Sequence, residues 1–76
     1  MEETPFRVRV DCYAGHQAEE TPRRVHIGQR VLEVTEVVDR WLDPTHRYFK
    51  VVCDNEGIYL LRHDVRSDVW ELTASL

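Results

Sequence analysis

Asp39-Arg40-Trp41 is the place in this chain where residue type and spacing come closest to chemistry. A guanidinium set between a carboxylate and an indole can present a planar, hydrogen-bonding and stacking surface to a ligand. The plainer reading carries more weight: in a bent strand Trp41 plugs the core or the rim, and Asp39 and Arg40 make cross-strand pairs that set the register. The arginines are the second candidate, since nine of the ten basic residues are Arg and Lys50 is the sole Lys. If the first strand pairs with the second, the outward Arg7 and Arg9 approach Arg24 and His26, with Arg23 and Arg30 near the ends. Such a stripe, with Tyr13 and Tyr48 as stacking residues, suits nucleic acid. Against it stands a solvated face laced with pairs such as Arg9 to Glu33, each contributing under about 1 kcal/mol. The net charge of -4 and the pI of 5.5 also argue against nonspecific binding to phosphate backbones.

Metal and catalytic sets fare worse. His16, His26, His46 and His63 accompany Cys12 and Cys53, and Cys12 with His16 has a ligand-like spacing. No second short-spaced pair exists, and both cysteines fall in the inward apolar phase, where a thiol behaves as a small hydrophobe. No metal and no cofactor is expected. His63-Asp64 does not make an oriented imidazole, because adjacent residues of a strand point to opposite faces, and Ser67 and Ser75 have no activating neighbour. No catalytic residue is assigned, and the chain reads as something other than an enzyme.

These side chains have to be positioned by one small domain. At 76 residues, 42% hydrophobic and 32% charged, the chain has enough apolar material for one core and no second one. We read residues 1–76 as a single domain, with 1–4 a flexible terminus. Phe6, Val8, Val10 and Cys12 alternate with polar residues as a strand with one buried face. Ala14 to Pro22 reads as an exposed loop, and Arg23 to Ile27 as a second strand. Gly28-Gln29 suits a type II′ hairpin.

Arg30 to Leu42 is ambiguous, since Val31, Val34, Val38 and Trp41 also fall near one face of a helix. Its β-branched residues favour a strand. The inward phase then slips from Leu32 and Val34 to Val37 and Trp41, which one extra residue near Glu36, a β-bulge, would produce. Asp43-Pro44-Thr45-His46 has the chemistry of a type I turn. Arg47 to Asp54 is a strand, and Asn55-Glu56-Gly57 a hairpin loop with Gly57 suited to positive φ. Ile58 to His63 and Val69 to Thr73 complete six strands. The expected fold class is all-β: a six-stranded antiparallel meander forming a curled sheet or an SH3-like barrel. Its expected core is Phe6, Val8, Val10, Leu32, Val34, Phe49, Val51, Leu61, Trp70 and Leu72.

Gly28, Leu32, Val34, Glu36, Val37, Asp39, Arg40 and Trp41, followed by Tyr48, Val51, Gly57, Tyr59, Leu61, Asp64, Trp70 and Leu72, carry a resemblance. Over roughly the last two thirds of its length the chain resembles a family of small bacterial domains of unknown function. Members share an aromatic or apolar run ending in Asp-Arg-Trp, then an aromatic hairpin. The resemblance implies an all-β soluble bacterial domain and no particular activity; Ala14 to Pro22 departs from the family pattern.

The expected function is a non-enzymatic binding or adaptor module for an unidentified protein partner, with Arg40, Trp41, Arg7, Arg9 and Tyr48 as contact residues. A nucleic-acid-binding small barrel is the runner-up. Self-association through Val65, Val69 and Leu76 would add buried area to a small fold. No apolar run approaches the roughly 20 residues that cross a bilayer, so no membrane partner is expected. Two cysteines and an acidic, polar start point to the cytoplasm.

Overall fold

Alternating apolar residues do extend the chain. The computed structural model describes residues 5–13 and 21–76, and every regular element among them is a strand: β1 Phe6–Cys12, β2 Pro22–Ile27, β3 Arg30–Leu42, β4 His46–Cys53, β5 Ile58–Asp64 and β6 Val69–Ser75. Each strand pairs antiparallel with the next, and β6 returns to β1, so the meander closes into a barrel. Closure is incomplete along β3, whose residues beyond Glu33 pair with β4 alone among the described strands. The terminus at residues 1–4 and the loop residues 14–20, His16 among them, lie outside the described residues. Among the described residues no helix is long and apolar enough to cross a membrane.

Inward positions from all six strands meet in one core of Val8, Val25, Leu32, Phe49, Val51, Cys53, Leu61, Trp70 and Leu72. Phe6 is a correction to the expected core. It starts β1 at a mouth of the barrel, where the core ends, and stays 50% exposed. Val10 and Val34 are half-buried against the core rather than inside it. Pro22 belongs to β2 rather than to a loop and is buried, as the first position of a strand permits a residue without an N–H.

The turns follow local chemistry with one exception. Gly28 has φ +60° and Gln29 does not share it, the pattern of a type II′ turn between the paired Ile27 and Arg30. In the Asn55–Gly57 loop the positive φ falls on Glu56, at 67°, and not on Gly57. Gly57 is needed for space instead: a Cβ there would sit 2.8–2.9 Å from the Tyr59 ring and hydroxyl. The Asn55 amide donates to the Tyr59 hydroxyl at 2.8 Å, and its carbonyl accepts the Gly57 N–H at 2.9 Å.

β3 departs most from expectation, and the departure decides the site. It pairs with β2 through Arg30 to Glu33 and with β4 from Val34 onward, so it must bend between two neighbours. Two bulges, not one, absorb the bend: Thr35 is the extra residue between the Val34–Cys53 and Glu36–Val52 partners, and Val38 the extra residue between Val37–Val51 and Asp39–Lys50. The Thr35 hydroxyl fastens the first by donating to the Val52 carbonyl at 3.1 Å. A single bulge would turn Trp41 inward. The second restores the original phase, so Arg40 lies opposite the buried Phe49, and Trp41 opposite Tyr48 faces out.

Candidate binding face

Asp39, Arg40 and Trp41 therefore do not share one surface. Arg40 lies on the inner side, its guanidinium carbon 5.8 Å from the centroid of the Phe49 ring. Asp39 turns back along the chain to accept the Arg40 N–H at 2.8 Å. Trp41 is no core plug: it is 41% exposed, and its ring lies parallel to that of Tyr48 with centroids 5.4 Å apart and planes 4° apart.

Strand register extends this pair into a row across the outer face. Trp41 is the partner of Tyr48, Tyr48 of Arg62, Arg62 of Glu71, and Glu71 of Arg7. Partnered residues project to the same face, so five strands contribute one lateral line of two aromatics and three charges. Arg62 donates its Nε–H to Glu71 Oε1 at 2.8 Å, and a second guanidinium nitrogen contacts the same oxygen. That bond, and Glu71's charge, raise the Arg62 pKa further above its usual value. The register thus unites Trp41, Tyr48 and Arg7 from the expected contact set and separates Arg40, which shares the phase of Phe49 yet stays exposed.

The tyrosine is fixed from the adjoining turn. Asp43 Oδ1 accepts the backbone N–H groups of Thr45 and His46 at 2.9 and 2.7 Å, while the Tyr48 hydroxyl donates to Asp43 Oδ2 at 2.9 Å. The Thr45 N–H, then the Tyr48 hydroxyl, hold the Asp43 carboxyl down at about 2, and the same carboxylate raises the Tyr48 pKa. This is the turn chemistry legible in the sequence, carrying an additional bond to the aromatic platform.

The arginine stripe takes another form. Arg9 lies opposite His26, but Arg7 faces Glu71 of β6 and not β2. Asp11 sits in the middle of the β1–β2 face, 2.8 Å from His26 Nε2, 3.4 Å from Arg9 and 3.5 Å from Arg24. Its pKa is lowered, first by the His26 bond and then by the charges around it. Glu33 is 2.7 Å from Arg24 and so is not held by Arg9. Tyr13 is exposed at the end of β1 with Arg23 over its ring at 5.9 Å.

Two groups were not legible as a pair. His63 is 5% exposed, its ring stacked on Trp70 with centroids 4.4 Å apart, and its Nε2 is 2.8 Å from Asp68 Oδ1 rather than bonded to the adjacent Asp64. The buried Nδ1 on the other side of the ring has no hydrogen-bond partner among the described residues. Asp64 instead accepts the N–H groups of Arg66 and Ser67, closing a turn in which Asp68 takes φ 57°. Burial, then the charge of Asp54, pushes the Cys53 thiol up to about 11, leaving it an inert core residue. Among the described residues no group of three or more His, Cys, Asp or Glu is placed to hold a metal ion.

Set against known protein families, curated proteins and solved structures, the chain matches none.

Proposed function

We propose that this barrel is a non-enzymatic binding or adaptor module that docks a protein partner on its outer face, centred on Trp41 and Tyr48. The observation that carries the reading is the parallel, half-exposed Trp41–Tyr48 pair, held rigid by Asp43. Pre-ordered aromatics flanked by arginine are the groups that dominate protein interfaces, because they contribute large contact areas at little further entropic cost. Arg62 and Arg7 extend the face, and Val38, 49% exposed, lies beside it on β3. The buried thiol of Cys53 fits a reducing cytoplasm. Nucleic acid is the second reading: the same ring pair would stack bases. It ranks lower because Arg9, Arg24 and Arg62 already face carboxylates.

A photo-crosslinking residue placed at Val38, compared with one at Val31 near the start of β3, tests the face directly in lysate with and without nuclease. A discrete, nuclease-resistant protein adduct from position 38 that disappears with Trp41→Ala supports the proposal. Capture lost on nuclease treatment supports nucleic acid. Equal adducts from both positions would remove the face.

A further inference from the structure

The mouth of the barrel at the opposite end of β3 has a different character. Phe6, Ile27, Leu32, Tyr59 and Leu72 wall a pocket of about 250 Å³, with Arg30 and Ser75 completing its lining. Leu32 and Leu72 are buried at 5% and 7% exposure, while Phe6 is half-covered. The apolar surface left open by Phe6 is thus one wall of a concavity and not an isolated exposed ring. The wall opposite is held in place, since Tyr59 is bonded to Asn55 and pressed against Gly57.

Arg30 makes this more than a gap in packing. It is the register partner of Ile27 across the Gly28-Gln29 turn, and both share the inward phase, so an exposed arginine joins Ser75 on the lining of a mainly apolar mouth. Arg9, Arg24 and Arg62 each have a carboxylate within 3.5 Å; Arg30 has no ion-pair or hydrogen-bond partner among the described residues. A guanidinium with no partner among the described residues, set beside apolar walls, selects an anion with an apolar body, and its planar fork matches a carboxylate through two parallel N–H···O bonds. A cavity of this volume is smaller than those that enclose drug-sized molecules, which limits the body to one ring or a short aliphatic chain.

We propose that this mouth binds a small free monocarboxylate with an aromatic or short aliphatic body, the carboxylate on Arg30 and the body against Phe6, Leu32 and Leu72. The site is separate from the Trp41–Tyr48 face and does not depend on the docking reading.

Titration of the ¹⁵N-labelled protein with phenylacetate tests it, with the uncharged phenylacetamide as the paired probe. The proposal expects saturable shifts at the amides of Ile27, Arg30, Leu32, Leu72 and Ser75, with a Kd of about 1 mM, as befits so small a ligand. It expects phenylacetamide to bind about tenfold more weakly, and Arg30→Gln to weaken phenylacetate by about the same factor while leaving phenylacetamide unchanged. Equal affinity for the two probes on the unaltered protein overturns the proposal without recourse to a variant. So does an absence of saturable shifts at this mouth, or a response centred on Trp41 and Tyr48.

Discussion

The two tryptophans occupy opposite situations on neighbouring parts of the same barrel. Trp70 lies inward on β6, 7% exposed, in contact with the Phe49 and His63 rings; Trp41 lies outward near the end of β3, stacked on Tyr48. β6 meets β1 and the adjoining part of β5 in unbroken register at Trp70, so simple alternation sends its indole inside. β3 must serve β2 and then β4, and each of its two bulges reverses the face of everything beyond it. Alternation thus places a side chain reliably only where the ladder is unbroken.

Removing Val38 is the severest way to break this comparison. Deletion takes out the extra residue and leaves every pair beyond it in register, so Trp41 stays outward, but β3 loses the second bulge that bends it from β2 onto β4. The expected cost is at the top of the range for single changes, roughly 4–5 kcal/mol in urea unfolding. A deletion variant with an unaltered urea midpoint would show that the second bulge is not needed to close the barrel.

Truncating each tryptophan gives a graded comparison. Trp70→Ala should cost about 3–5 kcal/mol in urea unfolding, through lost burial and the cavity left beside Phe49 and His63. Trp41→Ala should cost about 1 kcal/mol, the size of one exposed ring stack. Equal losses would place Trp41 in the core after all.

A pH series sharpens the outer region. Asp43 titrates at about 2, below the ordinary carboxylate, so its contribution is complete above about pH 4 and is lost as the pH falls from about 4 to about 2. Asp43→Asn should therefore lower Tm at pH 7, and the gap to the parent should close across that window. A gap that stays constant from pH 7 to pH 2 would mean the carboxylate's charge is irrelevant to the turn. The smallest effect is expected from Glu33→Gln: its pair with Arg24 is at the surface, so the change should cost under about 1 kcal/mol and vanish in high salt.

Much of this fold was legible before any coordinates. The alternation of Phe6 to Cys12 and the Gly28-Gln29 hairpin formed as read, and the Asp43 side chain accepts the backbone bonds that its place before Pro44 implies, because each is decided by residues within a few positions of one another. The apolar phase sends Leu61, Val51 and Leu72 inward, and all three are buried. The site was less legible. Trp41 and Tyr48 were both named, but not as a stacked pair, and Arg62 and Glu71 joined them only through register across four strands. The partner of His63 proved to be Asp68, brought back by a turn in which an Asp takes positive φ.

What the sequence determined by itself was the set of strands, their turns and the apolar residues available for one core, since these follow from side-chain period and local hydrogen bonding. What the tertiary structure alone decided was which way the second half of β3 faces. A 13-residue strand that must bend to close a barrel gains that bend by bulging, and the number of bulges is set by the partners on either side rather than by its own residues.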